Sequence, residues 1–83
     1  MRICFSTRGW QDYCSWVDDW KMLKRINRLI EESARNPATG VGKPEPLSHN
    51  LSGYWSRRIT DEHRLVYTVR GEDLIIIQAR YHY

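Results

Sequence analysis

Cysteines and long apolar runs are scarce in this sequence. Its 83 residues include two cysteines, Cys4 and Cys14, which are too few for a disulfide framework and lack the CxxC spacing of a zinc ribbon. No run approaches the roughly 18 apolar residues of a membrane span, and the first residues lack the apolar core of a signal peptide. These absences predict a protein of the reducing cytoplasm without membrane association, whose thiols are buried as small hydrophobes.

Strong charge of one sign is also absent. The net charge is +3, and the sequence has no basic tail, internal repeat or low-complexity segment. This balance favours anionic partners only weakly, so any contact with nucleic acid must come from a shaped surface. What is present is an apolar share of 41% and an aromatic share of 12%, which favours one compact domain over residues 1–83.

The first half of the sequence predicts one strand and two helices. Residues 2–6 alternate as a short strand, and Ser6 or Thr7 can cap the helix that follows. Asp19 can cap a second helix over residues 20–35, whose outer side is basic. Spacings of three and four residues define the predicted apolar faces. These are Trp10, Tyr13, Cys14 and Val17 in the first helix, and Leu23, Ile26, Leu29, Ile30 and Ala34 in the second.

The second half predicts a loop and three strands. Residues 36–50 form a loop in which Pro44 and Pro46 restrict the backbone on both sides of Glu45. A period of two then predicts an antiparallel meander of strands over residues 54–59, 63–69 and 74–81. The predicted fold class is α+β, in the order β-α-α-β-β-β, with two helices packed on one face of a twisted, mainly antiparallel sheet.

The last strand predicts where polar groups collect. At a period of two, Ile76, Gln78, Arg80 and His82 share one of its faces. With a suitable register, Arg64 of the preceding strand would join Arg80 and His82 in a cationic edge of the sheet. The sequence alone leaves that register open.

Several polar side chains could take part in chemistry: Glu45, Arg57, Arg58, His63, Arg64, His82 and Tyr83. Glutamate, histidine and arginine together supply what metal-free RNA cleavage requires. A carboxylate can take the proton of the ribose 2′-OH, and an imidazolium can protonate the leaving 5′-oxygen. A guanidinium can stabilise the charge that develops on the phosphate.

Each candidate also has a simpler interpretation. Glu45 could be a solvated loop residue, and His63 could simply close a turn. Of Arg57 and Arg58, one is expected to be exposed and the other packed through its stem. The histidines and Glu45 could in principle bind a metal, but their spacing shows no ligand pair. No nucleophile-elbow pattern suggests a serine hydrolase, and the basic side of the second helix is either a solvated face or an RNA contact.

Four short motifs in a fixed order carry a resemblance to a known family. They are KPEPL, NLSGYWSRRI, EHRLVY and the terminal RYHY. With them, the sequence resembles the YoeB (Txe) toxins of bacterial type II toxin–antitoxin systems, within the RelE superfamily. The resemblance covers essentially the whole chain and is strongest over residues 42–69 and 79–83.

The resemblance implies a compact fold like that of microbial ribonucleases and RelE. It also implies an endoribonuclease that cleaves mRNA in the A site of the 70S ribosome, without a metal or other cofactor, and so inhibits translation. The implied partners are a YefM-like antitoxin, the ribosome, mRNA and a second copy in a homodimer. Operator DNA would be reached only indirectly, through the antitoxin.

The resemblance also assigns roles to individual residues. Glu45 corresponds to the general base, Arg64 to the arginine that stabilises the scissile phosphate, and His82 to the general acid. Tyr83 corresponds to a terminal tyrosine that helps to position the RNA, and Arg58 to a basic residue that contacts the RNA backbone.

Lys43 and Arg57 are predicted as further cationic contacts to RNA. Ser48 departs from the family pattern, because many members have a lysine there, and this change would remove one phosphate contact.

Two other functions remain open on the sequence. A binding module could occupy the A site, or act as a co-repressor with its antitoxin, by stacking bases on an aromatic and basic edge without cutting. Removal of Glu45 or His82 would abolish toxicity only for the enzyme. A DNA-binding protein is less well supported, because no helix-turn-helix pattern is present.

Overall fold

The computed structural model describes residues 1–81, so two predicted site residues, His82 and Tyr83, lie outside the described residues. The strands are β1 (Arg2–Phe5), β2 (Glu45–Pro46), β3 (Tyr54–Arg58), β4 (Arg64–Arg70) and β5 (Asp73–Gln78). The helices are α1 (Thr7–Cys14) and α2 (Trp20–Arg35), with a 3-10 turn at His49–Leu51. Two helices followed by an antiparallel meander confirm the predicted α+β class. Within residues 1–81, no helix is long and apolar enough to cross a membrane.

The sheet has five strands in the order β1-β5-β4-β3-β2. Strands β2 to β5 pair antiparallel with their neighbours, whereas β1 pairs parallel with β5. The predicted order lacked β2, which is two residues long and lies in the proline-rich loop. So short a strand has no period to detect, and it forms only because β3 offers it a partner.

Both helices begin where the sequence predicts. The Ser6 hydroxyl accepts a hydrogen bond from the Gly9 backbone N–H at 3.0 Å, and the Asp19 carboxylate accepts one from Met22 N–H at 3.1 Å. Each cap satisfies a backbone donor that the first turn of a helix leaves unpaired.

The apolar face predicted for the first helix is partly wrong. The helix ends at Cys14, so Val17 lies beyond it and is exposed, as are Trp10 and Cys14. Trp16 is buried instead, and its indole N–H donates to the Ala79 carbonyl at 2.8 Å. The turn after α1 therefore directs Trp16 inward, which the helical period could not indicate. The prediction that both thiols are buried fails for Cys14, while Cys4 is half-buried.

The core lies between the helices and one face of the sheet. Ile26 and Leu29 of α2 pack with Leu65, Tyr67 and Ile76 of the two central strands, and all five are fully buried. Burial of each large apolar side chain contributes roughly 1.5–3 kcal/mol. The opposite face of the sheet is therefore available for polar side chains.

One irregularity changes the predicted faces of β5. Tyr67 pairs with Ile76, but its neighbour Val66 pairs with Gln78, so Ile77 is an additional residue in the strand. Such a bulge shifts the alternation of side chains. Gln78 therefore shares the face of Val66, and the prediction that it shares the face of Ile76 is wrong.

The close approach of α1 to β5 requires glycine at position 9. A Cβ at Gly9 would lie 2.2 Å from the Ile76 carbonyl oxygen. We expect Gly9→Ala to reduce the free energy of unfolding by roughly 1–3 kcal/mol, because the helix must move away from the sheet. Urea unfolding would measure this, with Gln11→Ala at an exposed position of the same helix as control. Equal stability of the two variants would contradict the close approach.

Candidate active site

The pairing of strands brings three predicted site residues to one face of the sheet. Glu45 lies opposite Ser56, and Arg58 lies opposite Arg64. Residues directly opposite each other share a face, and so do residues two apart on a strand such as Ser56 and Arg58. Glu45, Arg58 and Arg64 therefore lie on the face that the helices leave uncovered.

Glu45 is exposed at the edge of this face. The short β2–β3 pairing holds its backbone, and the Leu47 N–H extends the pairing by donating to the Tyr54 carbonyl at 2.9 Å. Glu45 lines a surface cavity of about 400 Å³, which the residues up to Leu51 complete, including Ser48. Glu45 and Ser48 thus line the same cavity.

A polar group without a partner lies next to Glu45 in the sheet. The hydroxyl of Ser56 is buried and has no hydrogen-bond partner, the single such side-chain atom among residues 1–81. Buried polar groups are usually paired. The Ser56 hydroxyl thus retains unused hydrogen-bonding capacity opposite Glu45.

Two exposed cations lie beside Glu45. The Arg58 N–H donates to the Gly42 carbonyl at 2.7 Å, which places the Gly42–Lys43 segment against the end of β3. Lys43 adopts a left-handed backbone conformation with φ of 51°, and its side chain is exposed. The structure thus brings Lys43, Arg58 and Glu45 to the same end of β2 and β3.

Arg64 is held in a fixed position at the end of β4. Only 8% of the residue is exposed. Its Nη1 donates to the carbonyls of Thr60, Asp61 and His63 at 2.6, 3.0 and 3.1 Å. The β3–β4 turn therefore fixes the position of the guanidinium.

Hydrogen bonds hold Tyr81, the last described residue, next to Arg64. The Tyr81 carbonyl accepts from Arg64 N–H at 3.0 Å and from Gln78 Nε2 at 3.0 Å, and the Tyr81 N–H donates to His63 Nδ1 at 2.8 Å. Tyr81 also has a left-handed φ of 61°, which turns the chain. These three hydrogen bonds fix the point from which the last two residues continue.

Arg80 does not join Arg64 in a cationic edge. Its guanidinium lies 4.0 Å from the centre of the Trp16 ring, and its Nη1 donates to the Ser15 hydroxyl at 2.9 Å. These contacts place the Arg80 guanidinium against the turn that follows α1. This part of the predicted edge is wrong, and His82, its third member, lies outside the described residues.

His63 has one role that the sequence predicted, in the β3–β4 turn, and a second one through its ring that the sequence did not reveal. It closes the β3–β4 turn, as its simpler interpretation predicted, because its carbonyl accepts from Ile59 N–H at 2.9 Å. Its ring is also buried edge-on against Trp16, with centroids 4.9 Å apart. Since Nδ1 accepts from Tyr81, a neutral ring carries its proton on Nε2, which lies 3.1 Å from Glu62 Oε1. These partners are too far apart in the sequence to form a motif.

Arg57 lies on the other face of the sheet and does not reach the candidate site. It is fully buried. Its guanidinium donates to the Tyr67 hydroxyl and to the carbonyls of Val41, Asn36 and Thr39, at distances of 2.5–2.9 Å. Of the two neighbouring arginines, one is packed and Arg58 is exposed, as predicted. The further prediction that Arg57 contacts RNA does not agree with this burial.

Among residues 1–81, no three His, Cys, Asp or Glu side chains lie close enough together to hold a metal ion.

Solved structures that are similar to this one include a bacterial toxin and other YoeB structures. The YoeB/ParE toxin from Agrobacterium tumefaciens is 48% identical and superposes with a TM-score of 0.96 over the full length of both chains. The YoeB dimer from Staphylococcus aureus is 48% identical, with a TM-score of 0.90 over 100% of this chain and 98% of that one. YafQ from Escherichia coli, at 20% identity and a TM-score of 0.80, shares the fold alone. The fold is thus that of the small RelE-like toxins.

Sequence comparison identifies the family within this class. Residues 5–83 match the family described as YoeB-like toxin of bacterial type II toxin–antitoxin system. Over the full length of both chains, Toxin YoeB of Streptomyces coelicolor is 62% identical and Toxin YoeB of Escherichia coli K12 is 54% identical. Toxin RelK of Mycobacterium tuberculosis is 52% identical over 98% of this chain and 96% of its own. The chain belongs to the YoeB-like toxin family, which confirms the resemblance.

Stability should distinguish the two neighbouring arginines. We expect Arg57→Ala to lower the free energy of unfolding by about 3 kcal/mol or more, because it leaves a cavity in place of a fully buried side chain and removes the hydrogen bonds that join β3 to the segment after α2. Arg57→Lys should recover part of the loss, since an ammonium cannot reproduce the guanidinium fork. Chemical denaturation would measure both, with exposed Arg58→Ala as control. A similar small loss for Arg57→Ala and Arg58→Ala would disprove the structural role.

Loss of the His63 ring should release the chain end. In His63→Ala, Tyr81 N–H loses its acceptor and Trp16 loses a ring contact, so amide exchange at Tyr81 and Arg64 should accelerate. His63→Asn would retain a hydrogen-bond acceptor and should preserve part of the protection. Hydrogen–deuterium exchange would measure this, with amides at the centre of β5 as an internal reference. Unchanged exchange at Tyr81 would show that the histidine does not hold the end.

Proposed function

We propose that this toxin is an endoribonuclease that cleaves mRNA in the ribosomal A site by metal-free acid–base catalysis. One observation carries the proposal: Glu45 and Arg64 share a face of the sheet, and the backbone of Tyr81 is bonded to Arg64. A carboxylate, a guanidinium and a terminal His-Tyr pair are the groups that the reaction requires.

Each proposed role follows from the chemistry of RNA cleavage. Glu45 takes the proton from the ribose 2′-OH, and the 2′-oxygen attacks the adjacent phosphorus. Arg64 stabilises the additional negative charge on the phosphate oxygens. His82 donates a proton to the 5′-oxygen as its bond to phosphorus breaks, and Tyr83 helps to position the RNA. The products are a 2′,3′-cyclic phosphate and a free 5′-hydroxyl, so protons and charge balance.

The exposed cations extend this site along the substrate. Arg58 and Lys43 lie at the same strand end as Glu45, where each can contact a phosphate of the mRNA backbone. Ser48 lines the cavity beside Glu45, and its hydroxyl supplies no positive charge there. Arg57 is omitted from these contacts because its guanidinium is buried.

The shape of the site favours dependence on the ribosome. Glu45 is exposed on a short edge strand, and such an open surface provides little contact to hold a flexible single strand in position for attack. Productive orientation of the reacting groups can account for several kcal/mol of a barrier. We infer that the ribosome supplies this orientation by presenting mRNA in the A site, and that free RNA is cut slowly.

We infer the partners from the relatives. YoeB–YefM complexes are known from Staphylococcus aureus, as is a YoeB dimer. The toxin is proposed to bind a YefM-like antitoxin and to form a homodimer, in the cytoplasm and away from membranes. Operator DNA is then reached only through the antitoxin.

Primer extension on a defined mRNA would test the reaction. Wild-type protein on programmed 70S ribosomes should give one sharp cut in the A-site codon, and none without ribosomes. Glu45→Gln removes the base and should slow the cut about 10²- to 10⁴-fold. Removal of residues 82 and 83 should abolish it and leave thermal unfolding nearly unchanged.

Exposed Arg70, at the far end of β4, provides the control, and Arg70→Gln should cut normally. Stalled ribosomes with intact mRNA would establish the non-catalytic binder instead. Full activity of Glu45→Gln would remove Glu45 from its proposed role.

A further inference from the structure

The first half of α2 carries four cations that no part of the candidate site uses. Lys21, Lys24, Arg25 and Arg28 follow one another at the spacing that places side chains on one side of a helix. All four are exposed and line a common depression. Among residues 1–81, none of the four forms an ion pair with a carboxylate. This basic surface, residues 21–28 of α2, therefore presents its charge to solvent.

The dipole of α2 does not explain why these cations lie in the first half of the helix. The amino end of a helix is the positive end of its dipole, so acidic side chains stabilise the first turns and basic ones destabilise them. The first turn of α2 has no acidic residue, although Asp19 caps it. Acidic side chains occur only in its second half, where Glu32 pairs with Arg35 at 3.2 Å. Cations near the positive end of the dipole therefore destabilise α2, and an anionic partner would offset this destabilisation.

An exposed tryptophan adjoins the basic surface. Trp20 is the first residue of α2 and is 70% exposed. A large aromatic ring in water gains little from packing, but it offers a face on which a nucleic-acid base can stack. Cations together with an exposed aromatic ring favour RNA over a purely acidic peptide, which would use only the charges.

The basic surface is continuous with the candidate site. Arg25 Nε donates to the Ile59 carbonyl, and Arg25 Nη2 lies 3.4 Å from the Arg58 carbonyl. The side chain of Arg58 belongs to the proposed substrate contacts. A folded RNA could therefore contact α2 while a single strand lies at the site around the edge of the sheet.

We propose that the basic surface of α2, with Trp20, is a second RNA-binding surface that grips the sugar–phosphate backbone of folded RNA. This inference rests on the proposed function in one respect: the folded RNA belongs to the ribosome on which the toxin is proposed to act. The surface contributes affinity for the ribosome and leaves the chemical step to Glu45 and Arg64.

The test uses a triple substitution, Lys21→Gln, Lys24→Gln and Arg28→Gln. Arg25 is retained because it holds the end of β3. The matched control, Arg8→Gln, Arg35→Gln and Arg70→Gln, removes the same charge from exposed positions elsewhere. Binding to purified 70S ribosomes is measured over a series of KCl concentrations in a Glu45→Gln background, so that the mRNA stays intact. Single-turnover cutting is measured with Glu45 present.

The triple variant should bind ribosomes about tenfold or more weakly, and the slope of log affinity against log salt should fall by about 2 to 3, as for three lost phosphate contacts. Its cutting rate at saturating ribosomes should stay within about twofold of the wild type, because the change affects binding and not chemistry. Trp20→Ala should weaken binding by about fivefold or more through lost stacking. The control should change neither affinity nor slope appreciably.

Equal effects of the triple variant and the control would overturn the proposal, because net charge alone would then explain them. The proposal would also be overturned if the triple variant bound ribosomes normally but no longer bound a YefM-like antitoxin. That result would assign the surface to a protein partner. Absence of cutting by the wild type would instead refute the proposed catalysis, and weaker ribosome binding by the triple variant would still support the second surface.

Discussion

The buried guanidinium of Arg57 is the interaction on which the candidate site depends. It lies on the helix side of β3, where its donors bind carbonyls of the segment between α2 and β2. Tyr67 reinforces this, because its hydroxyl accepts from Arg57 and donates to the Pro37 carbonyl at 2.6 Å. A charge in the core is tolerated only when its donors are satisfied. These hydrogen bonds therefore attach the segment that leads to Lys43 and Glu45 to the helix side of the sheet.

The two faces of the sheet carry different groups of side chains. The helix side holds the apolar core, and the other side carries Glu45, Arg58 and Arg64. Because successive residues of a strand point to opposite sides, neighbours such as Arg57 and Arg58 have unrelated roles. We therefore expect substitutions at Arg57 to affect folding, and we propose that substitutions at Glu45 affect the reaction.

The chain end depends on contacts made far away in the sequence. Trp16 follows α1 and packs against His63, which ends the β3–β4 turn and in turn packs against Tyr81. Residues near the end of a chain often fray, but the backbone of Tyr81 is bonded to the buried His63 and to Arg64. A separate contact, from Arg25 to the carbonyls of Ile59 and Arg58, joins the basic surface of α2 to the end of β3.

The sequence by itself determined the helices, their caps, the meander of strands and the family. These features have local signals that act within a few residues. The signals are the spacing of apolar side chains at every second residue or every 3.6 residues, the capping side chains and the four ordered motifs. It also indicated Glu45, Arg58 and Arg64, since their residue types and motifs are readable without a fold.

Only the tertiary structure decided which face each of these side chains occupies. Strand β2 exists because β3 pairs with it, and the bulge at Ile77 moves Gln78 to the side of Val66. Burial of Arg57, exposure of Trp10 and the contact of His63 with Tyr81 arise from packing between distant segments. Such contacts depend on register and on the path of the chain in three dimensions, and a local pattern contains neither.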